Sequence, residues 1–285
     1  MKFAVSTYSF SQLVCKGEMT YLDCIAKAKE MGFDGVEVAS CPDEGVMEFA
    51  QEVAREAKRC GIEITNVAFG ADFIHGSNGD TKAEIQRVKE MIDAAAVMGA
   101  PSVRHDVLYS LEKVPSFAQA LPVLADACRE VTEYAQTKGV YTMSENHGFI
   151  SQDSIRVEQL FNAVNHPNFK LLVDMGNFLC ADEDPVTAVS RVAPYAGYVH
   201  AKDFLFKSGS EPNPGKNFFE TRGGNYLRGT VIGHGCVPVQ QCLAIVKKAG
   251  YDGYVSVEYE GMEPVLEGIA AGLENLKRYE EAVRA

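Results

Sequence analysis

Eight strand-like segments, each followed by a helix-like one, predict an α/β chain folded as a single-domain (β/α)₈ barrel over residues 1–285. Two further observations support that choice. A Gly-aromatic-Asp-Gly phrase closes a helix and opens a strand at two distant places, Gly32-Phe33-Asp34-Gly35 and Gly250-Tyr251-Asp252-Gly253. Its first glycine supplies a left-handed helix stop and its second a tight entry into the strand. A doubly wound open sheet would alternate in the same way, but no Gly-rich phosphate loop follows the first strand.

Taken in order, Phe3-Ala4-Val5 reads as a strand, and Tyr21 to Met31 as a helix stopped by Gly32. Gly35-Val36-Glu37-Val38 is the second strand, with a helix from about Gly45 to Cys60 behind it. Ile62 to Ala68 is the third strand. The helix from Asp80 to Met98 carries Ile85, Val88, Met91, Ile92, Ala95 and Ala96 as one stripe of 3.6-residue period. Ser102-Val103-Arg104 is the fourth strand, and Phe117 to Thr137 its helix. Strands at 140–145, 169–174, 197–201 and 253–258 follow, with helices near 152–164, 185–193, 238–248 and 263–283.

One stretch breaks this rhythm. Asp203 to Val237, about thirty-five residues rich in Gly, Asn and Pro, separates the seventh strand from its helix and holds Lys207, Lys216, Arg222, Arg228 and His234. In a barrel a connection at this end of a strand lies on the catalytic face, and loops this long are often functional. A solvated or oligomer-contact loop is the alternative.

Four charged or ligating residues close four of the later strands: Glu145, Asp174, His200 and Glu258. A charge at the end of a β run is costly if buried alone, so four such events call for a shared cause. One divalent cation at the mouth of a parallel barrel supplies it. The cation neutralises three carboxylates, and histidine is a good neutral fourth ligand. An ionic network at the barrel mouth is the competing reading.

Composition narrows the partners. A net charge of −12 argues against binding along a nucleic-acid backbone, which needs a basic face. No segment has the length of a membrane span, and the start lacks the apolar core of a signal peptide, so a cytoplasmic protein is expected. Cys15, Cys24, Cys41, Cys60, Cys128, Cys180, Cys236 and Cys242 form no C-x-x-C pair and are expected to be reduced.

The phrases Glu145-Asn146-His147-Gly148, Asp174-Met175-Gly176-Asn177, His200-Ala201-Lys202-Asp203 and Val257-Glu258-Tyr259-Glu260-Gly261 resemble those of the xylose isomerase-like barrels. That superfamily includes sugar phosphate isomerases and epimerases and the type 2 AP endonuclease fold. The resemblance runs the length of the chain. It implies that Glu145, Asp174, His200 and Glu258 hold one divalent metal ion. Such a donor set favours Mn²⁺, Mg²⁺ or Co²⁺, with Zn²⁺ also accommodated. By similarity to the ketose 3-epimerases, Glu145 and Glu258 would also exchange protons with the substrate. The chain departs from that subfamily in carrying Asn177 where it has a histidine, and Lys202-Asp203 where an arginine follows the ligand histidine. The nuclease members use a metal cluster richer in histidine.

Other candidates surround this set. His147, two residues after Glu145, is expected either to act as an acid/base or to orient its loop. Asn177, Lys202, Arg104, His105, Arg228 and Glu37 are expected to contact substrate, Glu37 through a hydroxyl or by pairing with Arg104. A rim salt bridge is the alternative for Arg104-His105-Asp106. His75 would sit in a loop over the site, His234 reads as a turn residue, and His166 has no assigned role. The function expected is a metal-dependent sugar or sugar phosphate isomerase/epimerase that abstracts an α-proton and passes through an enediolate. The alternatives are a lyase or dehydratase of keto-sugars, 3-keto-glycosides or inososes, and a non-catalytic sugar-binding barrel. A small-molecule carbohydrate partner is expected, without nucleic acid or membrane, and homo-oligomer formation is compatible with the size.

Overall fold

The computed structural model describes residues 1–39, 41–42 and 44–284. Its strands in chain order are β1 (Lys2–Ser6), β2 (Gly35–Ala39), β3 (Glu63–Phe69), β4 (Ser102–His105), β5 (Tyr141–Glu145), β6 (Phe169–Asp174), β7 (Ala196–Ala201), β8 (Asp203–Lys207), β9 (Phe219–Glu220), β10 (Tyr226–Thr230) and β11 (Tyr254–Val257). The first seven and β11 run parallel and close into a barrel, with β11 hydrogen-bonded to both β7 and β1. Helices between the strands form the outer layer, from Tyr21–Glu30 to Val265–Arg284. The predicted (β/α)₈ architecture is therefore the one observed.

Local chemistry accounts for the helix ends. Thr20 and Asp23 form a reciprocal capping box at the first outer helix, and Asp80, Ser116, Asp153 and Asp184 each accept backbone N–H bonds at later helix starts. Gly61 and Gly99 stop two helices at φ +64° and +79°, a conformation that glycine adopts without a Cβ penalty.

The two-residue period of a strand then sorts the side chains. Met143, Leu172 and Tyr198 point inward and plug the barrel, with Tyr141 and Tyr254 packed against them. Two residues further along the same strands, the inward positions become Glu145, Asp174 and His200. The outward set, including Val103, Val173, Val199, Val255 and Val257, joins the main apolar core beneath the helices.

The segment 203–237 breaks the alternation as expected, but it is built rather than looped. It folds as a three-stranded antiparallel sheet in the order β8-β10-β9. Its neck is closed by one side chain: the Asp203 carboxylate accepts N–H bonds from Gly233, Gly235 and Val237 at 2.8–2.9 Å. Gly229 of β10 lies against the backbone after β11, and a Cβ there would stand 2.4 Å from the Glu260 carbonyl oxygen. Gly229→Ala should therefore destabilise the protein by about 1–3 kcal/mol, read as a lower urea midpoint. An unchanged midpoint would mean that the inserted sheet is not docked there. Among the described residues, no helix is long and apolar enough to cross a membrane.

Candidate metal centre and active site

Glu145, Asp174, His200 and Glu258 converge at the carboxyl end of the barrel, each offering one ligand atom within 4.8 Å of the others. His200 Nδ1 stands 3.7 Å from Glu145 Oε1, 3.8 Å from Asp174 Oδ2 and 3.6 Å from Glu258 Oε2. Metal–ligand bonds of about 2.1 Å separate neighbouring donors by about 3.0–3.5 Å and opposite donors by about 4.2 Å. The observed set is a slightly open version of that arrangement. Asp174 Oδ2 and His200 Nδ1 are buried and make no hydrogen bond. Two orphaned polar atoms facing one point among carboxylates fit a cation there.

The remaining atoms of the four residues are held. Asp174 Oδ1 accepts the N–H groups of Gly176 and Asn177, and its main chain exchanges two bonds with the Asn146 side chain. His200 bonds Glu37 through Nε2 at 2.9 Å, and Glu37 is bonded in turn by Asn66 Nδ2. A carboxylate behind a ligating histidine fixes its ring and tautomer. Asn177 Nδ2 donates to Glu145 Oε1 at 3.0 Å.

Two cations balance the acids. Lys202 Nζ lies 2.5 Å from Glu258, 3.1 Å from Glu260 and 3.5 Å from Asp174. Arg104 bridges Glu145 and Asp106. Burial works to protonate Glu258, but Lys202 and His200 outweigh it and hold the carboxyl well below its usual range. Burial likewise opposes ionisation of Glu145, and Arg104 carries it downward. Asp174 goes the other way: burial, with Glu145 and Glu258 nearby, lifts it to about 6 against the opposing pull of Lys202.

Above the cluster lies a cavity of about 900 Å³, lined by Glu145, His200 and Glu258 together with Arg104, His147 and Lys202. His147 Nδ1 meets Asp106 Oδ1 at 2.8 Å, and Asp106 also accepts from Tyr109 Oη at 2.6 Å. Burial alone would lower the His147 pKa, but the Asp106 charge outweighs it and raises it. Tyr8, Tyr109 and Glu260 line the same cavity and are additions to the residues expected from the sequence. For Glu260 a signal exists in the two-residue period continued past the strand end, since it follows Glu258 by two positions.

Three expected substrate contacts lie elsewhere. His105 follows the inward Arg104 and so points outward, with Phe69 and Phe73 around its ring and Nδ1 bonded to the Asp106 carbonyl. Glu37 is wholly buried beneath the cavity, bonded to His200 and Asn66 rather than to Arg104 or a ligand. Arg228 rests over the Phe218 ring and against Met262 Sδ, away from the cluster. Arg222 ties the inserted sheet to the Phe149 carbonyl and to Asp153. His234 is an exposed turn residue, His166 serves a surface connection, and His75 lines the cavity while bonded to Asp72.

Burial pulls the His105 pKa from 6.5 to about 4, so the folded protein keeps the ring neutral. The unfolded chain takes up this proton below pH 6.5. The stability contribution is therefore complete above pH 6.5 and is lost as pH falls towards 4. A His105→Gln variant should lose urea stability less steeply than wild type across that window. Equal slopes would mean that the ring is not held neutral.

Comparisons with known proteins place this architecture. The family model described as the xylose isomerase-like TIM barrel matches residues 25–279. The protein called inosose dehydratase in Bacillus thuringiensis (strain Al Hakam) is 24% identical over 262 residues, covering 87% of this chain and 85% of that one. A solved D-tagatose 3-epimerase-like protein superposes with TM-score 0.75 at 19% identity, over 100% of this chain and 98% of its own. The IOLI protein, solved with a bound zinc atom, superposes with TM-score 0.76 at 17% identity, over 98% of each chain.

Proposed function

The chain belongs to the xylose isomerase-like TIM barrel family, and from that premise we propose that it is a divalent-metal-dependent sugar or sugar phosphate isomerase or epimerase. The observation that carries this reading is the convergence of three carboxylates and one histidine on a point faced by two orphaned atoms. Glu145, Asp174, His200 and Glu258 would hold the ion. We assign Mn²⁺ first for this O₃N set, with Mg²⁺, Co²⁺ and Zn²⁺ as alternatives. When bound, the ion would polarise the substrate carbonyl and take up part of the charge of the enediolate.

The protein's own groups do the rest. Glu145 and Glu258 come from β5 and β11, with β6 and β7 between them around the barrel. They can therefore face a substrate from different sides. One accepts the proton from the carbon next to the carbonyl, and the C–H electron pair moves through the new C=C bond onto oxygen. The same group, now protonated, returns that proton to a neighbouring carbon. Return to the opposite face needs the other carboxylate first to take up a proton from water or a substrate hydroxyl. Both are ionised at neutral pH, because Arg104 and Lys202 stand beside them, and so both are able to accept. Lys202 also offers an ammonium to the developing oxyanion. Asn177 fixes the direction of Glu145.

A second reading rests on His147. Its ring lines the cavity and is backed by Asp106, so its proton is positioned for a hydroxyl leaving from the carbon β to the carbonyl. The enediolate electron pair then expels that hydroxyl as water, which is the outcome named for the inosose dehydratase relative. Incubating the Mn²⁺-loaded protein in D₂O with ketoses, ketose phosphates, inososes and 3-keto-glucosides separates the two. Deuterium next to the carbonyl in a product of unchanged composition supports isomerisation or epimerisation, whereas a product lighter by one water, or by the aglycone alcohol from a 3-keto-glucoside, supports elimination. Absence of exchange on every compound, with metal bound, overturns both.

A further inference from the structure

A second hollow of about 480 Å³ opens beside the cavity over the cluster, and the two share Tyr109, His147, Lys202 and Glu260 as a common wall. Their chemistry differs. The first is ringed by acids and cations, whereas the second is floored and flanked by Phe149, Phe204 and Phe219 together with Cys180. Phe204 and Phe219 meet edge to face, with ring centroids 5.8 Å apart, and stand on a small apolar cluster that includes Leu227 and Cys180. These two rings belong to the inserted sheet, on β8 and β9.

Phe149 arrives from the β5 side and at a cost. Its φ is +66°, a left-handed conformation that is unusual for a bulky side chain. It is held there from both ends: its N–H donates to Gln152 Oε1, and its carbonyl accepts from Arg222 of the insert. The held strain leaves a phenyl ring 42% exposed at the rim of the hollow. A polar residue tolerant of that backbone would be the inexpensive solution for a simple turn.

We propose that this hollow is a subsite for a flat, uncharged ring attached to the substrate, so that the chain acts on a keto-sugar carrying an aromatic or similar apolar substituent rather than on a small free sugar. The proposal rests on the enolising function argued above. A phosphate or carboxylate tail is disfavoured in the hollow. Lys202 turns its ammonium towards Glu258 and Asp174 at the cluster, and Glu260 on the shared wall would repel an anion in the hollow. An aromatic ring, in contrast, gains both burial and edge or face contacts with three phenylalanines. The shared wall includes Lys202, which contacts Glu258, so the hollow lies beside the cluster.

The test compares phenyl and methyl 3-keto-β-glucoside as substrates for α-proton exchange with the Mn²⁺-loaded protein. The phenyl compound should be preferred about 10- to 100-fold in kcat/KM. Phe149→Asn, which suits a left-handed backbone, and Phe219→Ala, at the sheet edge, should each bring that ratio towards one. In parallel, saturation-transfer NMR with unoxidised phenyl β-glucoside should show magnetisation passing from wild type to its ring protons, and none from either variant. Equal exchange of the two substrates overturns the subsite and leaves the enolising function standing. Ring-proton saturation seen with wild type and abolished in both variants, without exchange on either substrate, supports the subsite and overturns the function. No saturation and no exchange overturns both.

Discussion

Glu258→Gln is expected to reduce solvent deuterium exchange into the substrate by about 10³- to 10⁴-fold, the scale of a lost general base with a weakened metal ligand. The substitution keeps the shape of the side chain and removes its charge. That charge is what Lys202 answers at 2.5 Å and what His200 Nδ1 faces at 3.6 Å. The amide cannot accept a proton from carbon, and it leaves Lys202 with Glu260 and Asp174 as its remaining counter-charges. Metal content, measured on the same sample, separates the two causes. A variant that retains metal and loses exchange assigns proton transfer to Glu258. A variant that retains both would move the proton transfer to Glu145 or His147.

The second large effect concerns metal binding, through Asp174→Asn. The two oxygens of Asp174 have separate duties. Oδ1 holds the turn into Gly176 and Asn177, while Oδ2 is buried without a hydrogen bond. Asparagine can keep its carbonyl oxygen on the turn and turn its amide towards the cluster, where NH₂ is no ligand. Adding Mn²⁺ to chelator-treated wild type at about a hundred times Kd should stabilise it by about 2.7 kcal/mol, seen as a rise in Tm. In Asp174→Asn the metal-free protein should melt at or above the wild-type apo value, because the crowding of three clustered carboxylates is relieved. The added Mn²⁺ should then raise Tm little. A full Mn²⁺ shift in this variant would put the ion elsewhere.

Much of this is legible in the chain because charge and periodicity cooperate. Glu145, Asp174 and His200 each sit at the end of an apolar run, and a parallel barrel brings all such ends to one rim. The same two-residue period explains the failures. It turns His105 outward because Arg104 is inward, and it sets Glu37 one layer below the cavity, where it braces His200 instead of meeting a ligand. The sheet inside 203–237 is not legible. Its strands are short, one of only two residues, and they are interrupted by Gly, Asn and Pro. Their register depends on partners far away in sequence, such as Asp182, whose carboxylate receives Thr221, Gly223 and Asn225. No local pattern announces a bond across about forty positions.

The closed neck at Asp203 has a practical consequence. Because one carboxylate holds the exit of the insert beside its entrance, a change of length inside adds little loop-closure entropy. The eight staves carry the reactive groups, whereas β8 and β9 contribute Phe204 and Phe219 to the neighbouring hollow. Residues 209–217, exposed between β8 and β9, thus form an exchangeable cassette. A library randomised there, with Asp203 and the 233–237 return left intact, should yield folded barrels whose preferences diverge while their chemistry stays the same.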